Sequence, residues 1–322
     1  MERLKRTEKN TLTERVLQFG EGNFLRGFVD WMIDKLNKEN GGDYGVTIVQ
    51  PLAGGLVDKL NAQDGRYSLY LRGLLKGEKV EETRIVDCVT RGINPYTNTD
   101  EFFECAKNPD LRFIVSNTTE AGIEYKPNQN PDDFNGLTFP GRLTLFMKKR
   151  FDEGLKGFIL LPCELIDKNG DNLKECILKY SEDWGYGSEF EKWIETENHF
   201  TNTLVDRIVT GYPRDNAKEM EQSYGYLDDM IDTAEIFHLW VIEGDKKLAE
   251  EIPFHKIGLN VLWTDDVTPY KKRKVRILNG AHTMTVLAAH LAGLETVKDA
   301  MDDELVFSFM KQGIFEEIIP TL

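Results

Sequence analysis

The stretch VLQFGEGNFLRGF, residues 16–28, decides how the rest of the chain is read. Val16 to Phe19 is a short apolar run of strand length, bounded by glycine. Gly20 permits a sharp turn, and Gly22 lets the backbone approach a pyrophosphate. Phe24, Phe28, Trp31, Met32 and Leu36 then recur at helical spacing. A helix starting there would turn free N–H groups and its positive dipole end towards that pyrophosphate. The third glycine of the usual dinucleotide fingerprint is replaced by Leu25. The spacing alone therefore serves a tight turn as well as a cofactor loop.

Working outward, strand-like and helix-like segments alternate. GVTIVQP (45–51) reads as a second parallel strand, and LRFIVSN (111–117) and KGFILLPCE (156–164) as buried parallel strands. RYSLYLRGLL and TRIVDCVTR show period-two alternation and are expected as antiparallel additions or an extended edge. Strands separated by helices imply right-handed βαβ units, with ligands at the carboxyl ends of the strands. That edge carries Asn117, Thr118, Cys163 and Glu164. From about Asp183 onward, LVDRIV, AEIFHLWVI and TVLAAHLAGL carry apolar residues at three-to-four spacing and are expected as helices. The fold class expected is α/β, a Rossmann-type doubly wound sheet followed by a mainly helical substrate domain. The dinucleotide-binding domain is placed at 1–195 and the helical substrate and catalytic domain at 196–322, with more helices expected beyond residue 322.

The bulk properties narrow the function classes. The chain has 322 residues and a formal net charge of −15, which argues against a nucleic-acid partner. No apolar run reaches the roughly 20 residues of a membrane span, and the polar start MERLKRTEKN has no signal-peptide core. Cys88, Cys105, Cys163 and Cys176 are scattered, with no metal-ligand spacing, as expected for reduced thiols in a cytoplasm. The second strand ends in Gln50-Pro51, where dinucleotide enzymes selective for NAD usually place Asp or Glu. Gln can hydrogen-bond a ribose hydroxyl but leaves NAD against NADP open.

DDVTPYKKRKVRILNGAH (265–282) sets Lys274, Asn279 and His282 at i, i+5 and i+8. On an α-helix of about 100° per residue these fall near 0°, 140° and 80°, on one side. Carbonyl reduction without a metal needs an acid for the alkoxide and a donor to polarise the oxygen. A lysine beside other cations can have its pKa lowered to serve as the acid, and an Asn amide is an uncharged oxyanion donor. The spacing fits equally a solvated basic helix end followed by an N-G turn.

These blocks together resemble the polyol-specific long-chain dehydrogenase/reductase family, which includes mannitol 2-dehydrogenase and the hexuronate reductases. The resemblance rests on FGEGNFLRGF for the GxGxFxRxF loop, QDGRYSLY (63–70), LVDRI (204–208) and DVTPYKKRKVRILNGAH. SNTTEAGI (116–123), LPCELIDKNGDNL (161–173) and TLVDRIVTGYPRD (203–215) are similar to its hexuronate branch. It implies NAD(H)-dependent, metal-independent interconversion of a keto-hexuronate and a hexonate, D-tagaturonate and D-altronate, with D-fructuronate as the rival substrate. It implies Lys274 as general acid/base, Asn279 as oxyanion donor, His282 as orienting or substrate-binding residue, and Asp206 beside the active site. Gly20, Gly22, Asn23, Phe24, Arg26, Gln50 and Asn117 are the expected cofactor contacts. Lys271, Lys272, Arg276 or Arg207 are the cations expected near a substrate carboxylate. Where mannitol-type members place an oxyanion Asn, this chain has Leu165, so either Asn169 or another group is expected to substitute, or the site differs in this branch.

Overall fold

The computed structural model describes every residue but Lys76, and of Leu75 the backbone alone. The chain divides into two compact units, Met1–Asp265 and Asp266–Leu322. The boundary expected at 195/196 falls inside the first unit, because strands on both sides of it are packed together.

The strands run in chain order as β1 (Glu14–Phe19), β2 (Gly45–Val49), β3 (Tyr67–Leu75), β4 (Glu78–Val86), β5 (Val89–Ile93), β6 (Phe113–Ser116) and β7 (Ile159–Pro162). They continue with β8 (His199–Phe200), β9 (Asn202–Asp206), β10 (Asp232–Glu235), β11 (Leu239–Glu243) and β12 (Val261–Thr264). Six of them form one parallel sheet in the order β5-β2-β1-β6-β7-β8. Counted within the sheet this is 3-2-1-4-5-6, the doubly wound dinucleotide-binding order, with its switch point between β1 and β6.

Alternation along these strands feeds two cores. Val16, Val46, Ile48, Phe113, Val115, Ile159 and Leu161 face one side with Phe28, Met32 and Trp240. Leu17, Phe19, Val49, Ile114 and Leu160 face the other with Leu143, Phe146 and Ile177. Each buried Leu, Ile or Phe here stabilises the fold by about 1.5–3 kcal/mol, before conformational entropy is set against it.

Two sequence expectations need correcting. TRIVDCVTR is not one antiparallel element: β4 ends at Val86 after pairing antiparallel with β3, and β5 joins the main sheet beside β2. LVDRIV and AEIFHLWVI are not helices: they supply β9, β10 and β11, with β9 antiparallel to β11 and β10 parallel to β3. Short apolar runs buried on both faces carry no period, and three-to-four spacing arises in them by chance. TVLAAHLAGL is helical as expected up to Leu291, the end of the helix Gly280–Leu291.

The second unit is helical throughout its elements. Thr268–Lys272 leads through a π-helical turn, Arg273–Asn279, into Gly280–Leu291. Val297–Asp302 starts on a capping box between Thr296 and Asp299, and Glu304–Gln312 follows. Among the described residues no helix is long and apolar enough to cross a membrane.

Candidate functional site

The glycine loop lies at the switch point. The Gly20 N–H donates to the Val49 carbonyl at 3.0 Å, and the Asn117 N–H to the Phe19 carbonyl at 3.1 Å. Gly20 has φ +129°, a region costly for any residue with a side chain. A Cβ on it would lie 3.1 Å from the Asn117 carbonyl oxygen and 3.1 Å from Leu25 Cδ1. Gly22, at φ −64°, has ordinary backbone, and nothing lies within 4 Å of where its Cβ would be. Gly20 is thus glycine for the turn, whereas Gly22 leaves an open face above the start of a helix.

That helix runs from Asn23–Leu25 through a π-helical turn, Arg26–Asp30, to Trp31–Asn40. No side chain caps its first turn. The first N–H groups are therefore left for water or a ligand. Of the loop residues expected to touch a cofactor, Gly22 and Asn23 are exposed. Phe24 instead stacks on Phe28 at 5.0 Å and packs against the core. Arg26 is buried, and its guanidinium is consumed internally. Nε donates to the Glu21 carbonyl at 3.1 Å, Nη1 to the Met230 carbonyl at 2.7 Å and Nη2 to Asn23 Oδ1 at 2.7 Å. It also lies 4.9 Å from the centre of the Tyr67 ring. Arg26 therefore clamps the loop to the segment before β10 rather than reaching for phosphates.

Gln50 is likewise turned inward. Its Nε2 donates to the carbonyls of Leu52 at 2.7 Å and Ala53 at 3.0 Å, and its Oε1 accepts from the Val57 N–H at 3.4 Å. It holds the 51–56 loop in shape, so the expectation of a Gln50 side chain presented to a ribose is not met by this geometry. Asn117 keeps its place at the end of β6, with Nδ2 donating to the Cys163 carbonyl at 3.4 Å.

The strand ends beyond the loop are fastened by Glu164. Its carboxylate accepts from Ser116 Oγ at 3.0 Å, from the Thr118 N–H at 2.9 Å and from Thr118 Oγ1 at 3.0 Å. Burial pushes this carboxyl above its ordinary range, against the pull of those donors. Glu164 is thus a clasp between the ends of β6 and β7. Leu165, beside it, is 60% exposed. Asn169 does not replace the missing donor there. Buried, it gives Nδ2 to the carbonyls of Pro162, Glu164 and Thr203 and takes the N–H groups of Thr203 and Gly170 on Oδ1. It is a structural amide.

Asp206 ends β9, opposite Leu239 of β11. Its charge adds to burial in raising the Glu235 carboxyl, which the Ile208 N–H draws down. The neighbouring Arg207, expected near a substrate carboxylate, is held mainly by the main chain, with Nη2 left buried and unpartnered. It is buried, donates from Nε to the Glu235 carbonyl and from Nη1 to the Gly27 carbonyl, each at 2.8 Å, and lies 4.1 Å from the Trp31 ring centre.

A buried acidic pair lies behind the loop helix and was not anticipated. Asp30 accepts from Tyr67 Oη at 3.2 Å and Gln18 Nε2 at 3.4 Å, and Asp232 accepts its neighbour Thr233 N–H at 2.9 Å. Asp30 Oδ1 and Asp232 Oδ2 are both buried without a partner. Burial pushes their carboxyls up to about 7 and about 6 respectively. The available signal was Asp30 four residues after Arg26, one helical turn along the buried face.

In the second unit, the π-helical turn changes the geometry expected for Lys274 and Asn279. On an α-helix residue i+5 is rotated away from i. In a π turn the i→i+5 ladder sets it over i. Asn279 therefore comes one turn above Lys274, and His282 follows in the α-helical continuation. Lys274 is half-buried, and Asn279 and His282 are exposed.

Comparison with known proteins agrees with both units. Residues 14–256 match the mannitol dehydrogenase Rossmann domain, and residues 266–322 the mannitol dehydrogenase C-terminal domain. Altronate oxidoreductases of Cronobacter sakazakii and of Escherichia coli are each 49% identical over 314 residues, 96% of this chain. The chain spans 65% of the length of those relatives. A substrate-free D-sorbitol dehydrogenase superposes with a TM-score of 0.82 at 26% identity, over 97% of this chain and 66% of that one. The Pseudomonas fluorescens mannitol 2-dehydrogenase complex with NAD and D-mannitol shares the fold, with a TM-score of 0.78 at 21% identity over 97% of this chain and 65% of that one. With the sheet order, the glycine turn and both sequence profiles in agreement, the chain belongs to the mannitol dehydrogenase family.

Proposed function

We propose that this chain is an NAD(H)-dependent oxidoreductase that interconverts D-tagaturonate and D-altronate by acting on a secondary CH–OH group. The observation that carries the cofactor assignment is the open face of Gly22 above an uncapped helix start at the switch point. Those features suit a pyrophosphate, whose charge would meet the N–H groups and the positive dipole end. The substrate assignment is supported by the 49% identity to altronate oxidoreductases over 96% of the chain.

When bound, NADH supplies the hydride that reaches the ketone carbon. The residues of this chain then handle the oxygen. Lys274 Nζ donates a proton to the nascent alkoxide, and in the oxidative direction takes it back. The Asn279 amide donates a hydrogen bond to the same oxygen without adding charge, an arrangement favoured by its place one π turn above Lys274. His282, further along the helix, orients the lysine or receives a substrate hydroxyl. No metal is needed in this scheme, since lysine and amide together do the work of a Lewis acid. The four buried free thiols and the acidic net charge fit a cytoplasmic enzyme with a small-molecule substrate and no polyanionic partner.

The test is NADH consumption by the 322-residue chain with D-tagaturonate, D-fructuronate and D-fructose in parallel, beside calorimetric titration with NADH. Turnover with D-tagaturonate, lost in Lys274→Ala while NADH still binds, is the expected result. Equal rates with D-fructuronate would remove the substrate assignment, and NADH binding without turnover of any ketone would remove the activity.

A further inference from the structure

A cavity of about 580 Å³ opens beside the glycine loop, within the first unit. Ligand sites commonly measure about 300–1,000 Å³. Asn23 enters its wall from the loop helix, Tyr70 and Arg72 from β3, and Tyr212, Arg214 and Asp215 from the turn after β9. Tyr70 and Arg72 are two residues apart on a strand, so both side chains leave the same face.

The turn that carries Arg214 is fixed to the loop. Gly211 has φ +82°, and a Cβ there would lie 2.3 Å from Asn23 Nδ2. Its carbonyl accepts from Thr233 Oγ1 at 2.7 Å, and the Arg214 N–H closes the turn on the Tyr212 carbonyl at 2.9 Å.

Several arginines of the chain meet carboxylates, while Arg26, Arg150 and Arg207 are held by main-chain carbonyls. Arg84 meets Asp34 and Glu39, Arg91 meets Glu14 and Glu101, and Arg112 meets Glu251. Among the described residues no such ion pair engages Arg72 or Arg214. Glu81 on β4 and Glu235 on β10 both stand in register beside Arg72 without an ion pair to it, and Glu81 is hydrogen-bonded to the Tyr70 side chain. Asp215 is the one acidic residue of the cavity wall. Two guanidiniums without an ion pair, Arg72 and Arg214, thus line one cavity together with Tyr70 and Tyr212.

We propose that this cavity is the carboxylate subsite of the sugar acid, with Arg214 and Arg72 selecting a uronate over a neutral ketose. The inference rests on the reaction proposed above and gives that substrate's charged end a place. A guanidinium presents parallel N–H donors that match a carboxylate's two oxygens, and it stays charged at every working pH. It also explains why Arg207, the expected partner, can be spent on main-chain carbonyls. A phosphate of the cofactor carries the same anionic oxygens, and the experiment separates the two.

Arg214→Ala and Arg72→Ala are compared with wild type for KM and kcat with D-tagaturonate, for NADH affinity, and for thermal midpoint. The loss of one charge-assisted pair raises KM about ten- to hundredfold, more than it lowers kcat. Arg214→Lys restores part of that loss, and NADH affinity stays at the wild-type value. A parallel loss of NADH affinity would assign the cations to the cofactor phosphates, and an unchanged KM would make them surface charges. Either result overturns the subsite. Direct titration keeps the subsite separable from the reaction. If wild type turns over no keto-uronate, D-altronate and neutral D-altritol are titrated by calorimetry. Binding of altronate alone, lost in Arg214→Ala, supports the subsite, and no altronate binding to wild type refutes it.

Discussion

Replacing either loop glycine by alanine adds the same methyl group, yet the two substitutions should fail in different ways. At Gly22 the backbone is at φ −64° and nothing lies within 4 Å of the added carbon. The free protein should tolerate the change, and the reduced entropy of the unfolded chain adds about 0.4–1 kcal/mol of stability. The methyl, however, occupies the space a pyrophosphate would enter. Displacing one charge-assisted contact by about 2 kcal/mol weakens NADH binding about thirtyfold, at 1.4 kcal/mol per tenfold. At Gly20 the methyl meets the Asn117 carbonyl and Leu25 at 3.1 Å, on a backbone of φ +129°. Strain and contact together cost about 2–3 kcal/mol, or roughly 4–12 °C of Tm for a unit of this size. Thermal melts and NADH titration of both variants check the pair. Wild-type NADH affinity in Gly22→Ala would refute the reasoning outright, because the open face would then not be where the cofactor comes closest. An unmoved Tm in Gly20→Ala would refute the strain argument.

Four further outcomes are expected. Asp30 and Asp232 titrate at about 7 and about 6 in the folded chain against an ordinary 3.8, chiefly through burial, so the folded state holds their protons longer than the unfolded state does. Their contribution is complete below about pH 4 and is lost as pH rises through 6 and 7, so Asp30→Asn should flatten the fall of Tm between about pH 5 and 8. A wild-type slope in that variant would show the pair is not what titrates. Arg207→Ala removes two main-chain bonds and the contact with Trp31, and should cost about 3 kcal/mol. A raised KM for the sugar acid at wild-type Tm would return Arg207 to the substrate. Asn169→Ala leaves several main-chain groups unpaired and should cost about 2–4 kcal/mol in a urea melt. Leu165→Asn, at an exposed site, should move stability by no more than about 0.5 kcal/mol.

Four strands of the central sheet were legible because they are uniform, whereas β5 and β8 at its edges were not. Val16–Phe19, Gly45–Val49, Phe113–Ser116 and Ile159–Pro162 are apolar runs flanked by glycine, proline or polar residues, and they lie where expected. The strands after residue 200 were not legible. NTLVD, DTAE and LWVIE are each too short to show a period, and their partners lie far away in sequence. Site residues divided along similar lines. The Gly20 turn was readable because a backbone at φ +129° demands glycine. Arg26, Gln50, Asn169 and Arg207 were polar residues in a functional motif, and the usual inference sent them towards ligands. Each is buried, and each satisfies carbonyl or N–H groups that would otherwise be orphaned, as burial requires.

The π-helical turns show why one deviation from α-helical geometry can serve two ends. In Arg26–Asp30 every residue is buried, including a guanidinium and a carboxyl. An α-helical stripe of that length would turn part of the segment towards solvent. The wider turn instead keeps Arg26, Gly27 and Asp30 facing β3 and β10, which fixes the glycine loop from behind. In Arg273–Asn279 no residue is buried, so packing does not demand the turn. What it changes there is register, since it brings Asn279 closer over Lys274 than the roughly 140° that separates them on a regular helix, where they already share one side. Gly313–Ile318 is also π-helical with only Gly313 buried, so such a turn needs neither a core nor a site. On the reaction proposed above, the register in Arg273–Asn279 is the one a lysine–amide pairing would use, and Lys274→Ala tests it.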